Sequence, residues 1–245
     1  MIPWVLLDTA PIPGSTRELR LLRRGGEYSI RIGTEELMNS RLSGSEEALA
    51  TLAAADLAQL SAPDVLIGGL GMGFTLRAGL GAFGAKARIT VCELVPAVIA
   101  WAKGPMADLY GASLSDSRVR VAEADVADLI RAKRSAWDAI LLDVDNGPEG
   151  MTHDGNDRLY AAGGLAAARD ALRPGGVLAV WSATPDAGFT QRLKKAGFSV
   201  RAERVRASRT GKGATHTIWL AARPRASRAP HSPATPITRS PGRGS

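Results

Sequence analysis

The stretch that most constrains this chain is Asp64-Val65-Leu66-Ile67-Gly68-Gly69-Leu70-Gly71-Met72-Gly73. Three apolar residues run directly into four glycines within six positions. A short apolar run of this kind is the pattern of a strand buried on both faces of a parallel sheet. The glycines predict a sharp turn with a bare backbone, which a ligand can approach closely. Phe74 to Ala78 continues with helical character, so the unit is strand, glycine loop, helix. Such a unit presents backbone N–H groups and a helix N-terminus to a ligand.

Spacing narrows the ligand. A dinucleotide loop needs G-x-G-x-x-G, and counted from Gly69 the third small position is Phe74. No Lys-Ser or Lys-Thr follows the glycines, so a phosphate-binding P-loop is excluded. Gly69-x-Gly71-x-Gly73 resembles the first motif of S-adenosylmethionine-type enzymes. A glycine-rich turn in some other α/β fold is the alternative on this loop alone.

The flanking pattern repeats the unit. Arg88 to Glu93 reads as the second strand of the core, and its terminal carboxylate lies twenty residues after Gly73. At that place an acid accepts hydrogen bonds from ribose hydroxyls. The competing reading of Glu93 is an ordinary exposed strand-end acid, which the fold would not need. Arg118 to Val121 is a third strand that ends at Ala124-Asp125. Asp125 suits either an adenine amino group or the N-cap of a helix at 126–131, and the two roles are compatible. Trp137 to Asp143 is a fourth strand, again apolar and again ending in an acid. Ligands of open α/β sheets bind at the carboxyl ends of strands. Glu93, Asp125 and Asp143 are therefore expected on one rim beside Gly68, Gly69, Gly71 and Gly73. Trp101, within a helix opened by Pro96, is expected in the core.

The remaining segments build around this core. Residues 17–32 read as a hairpin turning at Gly25-Gly26, and 34–41 add a strand or an extended segment. An alanine- and leucine-rich helix starts at Ser45-Glu46-Glu47 and runs to about Leu60, with acids where the helix dipole favours them. Residues 160–172 are helical, Pro174-Gly175-Gly176 is a turn, and Val177 to Trp181 is a fifth strand. Segments 197–205 and 215–222 are expected to close the sheet as an antiparallel pair. Lys194 and Lys195 belong to a solvated helix face, and His216 is a structural histidine on a strand. The chain divides into a small β unit over 1–42, an α/β domain over 43–222 and a disordered basic tail over 223–245.

Charge supports that division. The net charge of +7 includes five arginines and no acid from residue 223 onward, which leaves +2 for the rest. A Pro/Ser/Arg segment of this composition has too little apolar surface to order itself. It carries no aromatic residue for base stacking, so a nucleic-acid partner is not expected. The single cysteine, Cys92, excludes an intrachain disulfide. The three histidines form no metal-ligand spacing with it, and no metal is expected. No apolar run is long enough for a bilayer, and Met1 to Asp8 does not read as a leader. The expected location is the cytoplasm.

Taken together, these motifs resemble the spermidine synthase (polyamine aminopropyltransferase) family. The likeness covers most of residues 17–222. It rests on the β unit, the Gly68–Gly73 loop, Glu93, Asp116-Ser117-Arg118-Val119, Asp125, Asp143 with Gly147-Pro148, Leu159-Tyr160 and Leu172-Arg173-Pro174-Gly175-Gly176. The fold it implies is α/β, a seven-stranded Rossmann-like sheet of the S-adenosylmethionine methyltransferase type preceded by a small N-terminal β unit. The resemblance implies that the glycine loop and Glu93 hold decarboxylated S-adenosylmethionine. It further implies that Asp125 contacts adenine, that Asp143 deprotonates the attacking amine and that Tyr160 contacts the substrate. A homodimer is implied in the same way.

The chain departs from the family at two places. After strand four it has the shorter Asp143-Val144-Asp145-Asn146-Gly147-Pro148 in place of D-x-x-D-P-x-G-P. Its Leu37-Met38-Asn39-Ser40-Arg41 lacks the Tyr-His-Glu of the family. Both changes bear on the amine more than on the nucleoside. Asp145 suits a distant ammonium or the start of a turn at Asn146-Gly147. Three functions are consistent with the sequence: aminopropyl transfer to an amine such as putrescine, methyl transfer from S-adenosylmethionine, and nucleoside binding without catalysis.

Overall fold

The computed structural model describes residues 2–144, 158–208 and 213–225. Two sheets organise them. Strands β1 (Val5–Pro11), β2 (Glu18–Arg24), β3 (Glu27–Ile32) and β4 (Glu35–Asn39) form a four-stranded antiparallel sheet in sequential order. The hairpin turns at Gly25, whose φ of 59° lies in the left-handed region. Strand β1 was not anticipated. Its first three residues are all exposed, so it carries no in–out alternation to betray it. Pairing with β2, from Val5 opposite Arg23 to Pro11 opposite Glu18, is what makes it a strand.

The second sheet contains β5 (Asp64–Gly68), β6 (Arg88–Glu93), β7 (Val119–Glu123), β8 (Trp137–Leu142), β9 (Leu172–Ser182), β10 (Ser199–Arg206) and β11 (Thr215–Ala222). Its order is β10-β11-β9-β8-β5-β6-β7, with β11 alone running against the others. The chain first builds outward from β5 through β6 and β7. It then returns to add β8 and β9 on the other side of β5. The carboxyl end of β5 is thus a topological switch point, where neighbouring crossovers part and leave a crevice.

Helices α1 (Gly44–Asp56), α2 (Phe74–Ala82), α3 (Pro96–Lys103), α4 (Ala107–Tyr110), α5 (Val126–Arg131), α6 (Ala162–Ala171) and α7 (Ala187–Lys195) complete the architecture. One hydrophobic cluster joins Val65, Ile67, Val91 and Leu141 to α1, α2, α3 and the small sheet. A second covers the opposite face, where Leu66, Ile140 and Leu178 meet α5, α6 and α7. Alternate residues of β5 thus bury on opposite faces, at about 1.5–3 kcal/mol for each large aliphatic side chain.

The small sheet is fastened to the large domain by polar contacts as well. Trp101 Nε1 donates to Asp8 Oδ2 at 2.7 Å, and Tyr28 Oη donates to the Pro105 carbonyl at 2.5 Å. Trp101 is buried, as its place in an apolar helix face suggests. The expected turn at Pro174-Gly175-Gly176 lies inside β9 instead. There the pairing slips between Trp137–Leu172 and Ala139–Val177, so the turn chemistry makes a bulge. Arg223 is tied to the domain through backbone bonds with Gly175 and Gly176. The rest of the tail beyond 225 lies outside the described residues.

Candidate active site

The glycine loop is locked between two neighbouring strands. Gly69 N donates to the Cys92 carbonyl at 2.8 Å, and Asp143 N donates to the Gly68 carbonyl at 3.0 Å. These bonds hold the ends of β5, β6 and β8 level. Gly69 has φ of 91°, and a Cβ added there would stand 2.3 Å from the Asp143 carbonyl oxygen. No side chain fits, and the left-handed backbone adds its own strain. Gly69→Ala is expected to lower stability by on the order of 2–4 kcal/mol, read as a fall in denaturation midpoint. An unchanged midpoint would show that the loop relaxes freely.

A cavity of about 180 Å³ opens above this loop. Its lining includes Gly69, Gly71, Glu93, Asp125 and Asp143, which the sequence placed on one rim. Gly68 supports it from below, packed on Val126 and Leu142, and Gly73 starts α2 with φ of 75°. The Cys92 thiol, pushed up to about 12 mainly by burial, lines the cavity as an apolar group. Among the described lining residues there are four carboxylates and no Lys or Arg.

Each carboxylate has a defined anchor. Glu93 is only 8% exposed, so it is not the exposed strand-end acid considered above. Its Oε2 accepts from Leu70 N and its Oε1 from Val95 N, both at 2.9 Å. Burial pushes its carboxyl up, while backbone N–H groups of Val95, Leu70, Gly71 and Leu94 pull the other way. Glu93 therefore shapes the loop as well as facing the cavity. Asp125 caps α5, accepting from Ala127 N at 2.7 Å, and it lines the cavity too. The N-cap reading of this residue is thus observed, and the capping role leaves it on the cavity wall. Asp143 Oδ2 accepts from Thr75 Oγ1 at 2.5 Å, and burial pushes its carboxyl up to about 6.

The fourth carboxylate, Glu46, was read only as a first-turn acid suited to the dipole of α1. It lies in the cavity lining instead. Burial and then the negative charge of Asp143 push its carboxyl up to about 7. Ser45 Oγ donates to Glu46 Oε2 at 2.6 Å and stands 2.8 Å from His216 Nδ1. Thr75, Trp181 and Met38 were also not anticipated. Met38 crosses from the small sheet to cover the loop, its methyl group 2.7 Å from where a Cβ on Gly71 would be. No local signal distinguishes Glu46 or Thr75 from other polar residues in the first turn of a helix.

One expected site residue stands apart. Tyr160 does not line the cavity. It is buried on the opposite face of the sheet, with its ring edge-on to Phe189 at 5.6 Å. Leu159 and Tyr160 precede α6 and bury on that face together with its apolar side. Asp145 lies outside the described residues.

The raised affinity of Glu46 for a proton has a consequence for stability. Its carboxyl rises from an ordinary 4.5 to about 7, so the folded chain binds this proton more tightly than the unfolded chain. Its contribution to stability therefore falls as pH rises from about 4.5 to about 7. Glu46→Gln removes the charge and is expected to stabilise the protein at pH 8 by on the order of 1 kcal/mol, a rise in Tm of about 2–4 °C. At pH 4 the difference should vanish. A variant less stable than wild type at pH 8 would contradict the burial of this charge.

The architecture has clear counterparts among solved structures. Spermidine synthase from Thermotoga maritima superposes with a TM-score of 0.70 at 18% identity, covering 89% of this chain and 72% of that one. The chain has the spermidine synthase fold. A spermidine synthase in complex with the transition state analogue AdoDATO matches with a TM-score of 0.69, the same identity and the same coverage. A probable spermidine synthase from Corynebacterium glutamicum matches with a TM-score of 0.56 at 14% identity, over 89% of this chain and 79% of that one. No family model matches the sequence, and no curated protein matches it. The α/β class, the seven-stranded sheet and the preceding small β unit agree with the expectation from sequence. Among the described residues no helix is long and apolar enough to cross a membrane.

Proposed function

We propose that this chain transfers an aminopropyl group from decarboxylated S-adenosylmethionine to an amine such as putrescine. The observation that carries this reading is a cavity at the switch point lined by Glu46, Glu93, Asp125 and Asp143, with no Lys or Arg among its described lining. Such a lining attracts ammonium groups and repels the amino-acid carboxylate that S-adenosylmethionine retains. The fold of spermidine synthases agrees with it.

In this reading Glu93 and the glycine loop hold the ribose, and Asp125 faces the adenine. The sulfonium, when bound, supplies a carbon already joined to a good leaving group. The protein then has to align the acceptor and free its lone pair. An amine arrives as an ammonium, and Asp143 takes one proton from it. The acceptor nitrogen bonds to carbon as the carbon–sulfur bond breaks and its electron pair goes to sulfur. Methylthioadenosine and a secondary ammonium result. A carboxyl held near 6 is ionised at neutral pH yet basic enough to share a proton with an amine.

The test is to incubate the protein with each sulfonium and a panel of amines, and to identify products by mass. Methylthioadenosine and an aminopropylated amine from the decarboxylated form are expected. Methylated product from S-adenosylmethionine, with no methylthioadenosine from the decarboxylated form, would assign methyl transfer instead. Retention of nucleoside without turnover of any amine would leave a binding protein.

A further inference from the structure

Proton removal by Asp143 leaves a proton that must depart before the next cycle, and the cavity lies between two sheets. The hydrogen-bonded chain from Glu46 through Ser45 to His216 leads away from it. Ser45 and Glu46 open α1, whereas His216 stands on β11, 171 positions later than Ser45. Ser45 is fully buried, and His216 is half-buried with its ring edge-on to Trp181 at 4.7 Å. Asp143 and Glu46 face the same cavity, with Thr75 bonded to Asp143 and its hydroxyl 3.3 Å from the Glu46 carbonyl. We propose that Ser45 and His216 form a proton relay that carries the proton from the Asp143–Glu46 pair to solvent. Its use in turnover rests on the aminopropyl reading above; its existence does not.

The protons balance along the chain. With Glu46 protonated, its hydroxyl donates to Ser45 Oγ, and the Ser45 hydrogen points to an unprotonated His216 Nδ1. Shifting each hydrogen one place leaves Glu46 ionised, Ser45 donating to it, and His216 carrying hydrogens on both ring nitrogens. The Nε2 proton then passes to water and the imidazole is neutral again. The neutral ring keeps its hydrogen on Nδ1, donating to Ser45, and the tautomer has switched; the half-buried ring resets by turning out to water, where Nδ1 gives up one hydrogen and Nε2 regains one, with no net change in protons, before it turns back to Ser45. Glu46, Ser45 and Nδ1 of His216 stay hydrogen-bonded to one another in both states, so the shift strands no donor or acceptor among them. Burial holds the His216 imidazole below its ordinary range, which favours release of that second proton. The proton affinity of Glu46, raised to about 7, matches the relay to neutral pH.

Other ionisable groups face this line from few directions. Asp143, Glu93 and Asp125 face Glu46 across the cavity, and Glu47 neighbours it on α1. Strand β10 pairs Val205 with His216, and the flanking Arg204 and Arg206 are exposed on the alternate face.

Three histidines in the whole chain make the relay directly observable. The full chain, labelled with nitrogen-15 at histidine, is titrated by NMR from pH 5.5 to 8.5. As Glu46 ionises near pH 7, the His216 hydrogen is expected to move from Nε2 to Nδ1. Glu46→Gln and Ser45→Ala should each abolish that switch; Ser45→Ala removes one buried oxygen and adds no bulk. A His216 tautomer that is constant in wild type, or that switches equally in Ser45→Ala, overturns the relay whether or not any amine is turned over. Where turnover is found, Ser45→Ala and His216→Gln should lower kcat at least tenfold at pH 7, with the nucleoside KM within about twofold. Added imidazole should restore most of the loss in His216→Gly. Equal kcat in all three variants, or a loss that imidazole does not relieve, also overturns it. Absence of turnover with every amine defeats the transferase reading alone.

Discussion

Asp143→Asn is expected to remove aminopropyl transfer while leaving methylthioadenosine affinity within about threefold of wild type. The amide oxygen still accepts from Thr75 Oγ1, so the local geometry survives. What disappears is the ability to take a proton from the acceptor, worth roughly 10²–10⁴ in rate. In wild type the carboxylate works only when ionised. Activity should therefore rise as pH increases through about 6 and then level off until other groups intervene. The measurement is kcat/KM for the amine against pH, beside calorimetry with methylthioadenosine. An Asn variant with activity within tenfold of wild type would remove Asp143 from the role of base.

The second large effect is expected at Glu93. Glu93→Ala should weaken nucleoside binding by on the order of 2–4 kcal/mol through the loss of charge-assisted hydrogen bonds to the ribose. The structure adds a loss of stability to that expectation. Leu70 N and Val95 N both end on this carboxylate, and both residues are buried. Removing the side chain strands two donors away from water, at about 1–3 kcal/mol each. Glu93→Gln retains one acceptor oxygen and should fall between wild type and Ala in both measurements. Calorimetry and thermal melting on the two variants separate the ligand contribution from the structural one. Wild-type nucleoside affinity in Glu93→Ala would overturn the ribose assignment, and an unchanged Tm would show that the loop finds other acceptors.

The two residues differ in how far their roles were visible beforehand. Asp143 ends an apolar strand, and nothing local competes with a place at the sheet rim. Glu93 ends one too, but its sequence context says nothing of the backbone N–H groups that converge on it. They come from Leu70 on one side and Val95 on the other, and only the folded loop brings both to the same carboxylate. Asp125 shows the converse. Its N-cap role is local, two residues from the N–H it accepts, and was legible without the fold.

The sequence by itself determined the order of strands and helices in the large domain, the glycine turn at the switch point and the carboxylates beside it. Each depends on patterns within a few residues: apolar runs of strand length, glycine where φ is positive, an acid where a strand ends. Tertiary structure alone decided what meets what across the chain. Periodicity marks the apolar side of an element and not the neighbour it will bury against. Tyr160 therefore went to the far face of the sheet, and β1 became a strand only by pairing with β2. Glu46 turned from a helix-dipole acid into a cavity wall, and Met38 came to rest over Gly71. The meeting of Ser45 with His216 spans most of the chain, and such a contact exists only after the helix has packed across the β9, β11 and β10 side of the sheet, where β11 carries the histidine.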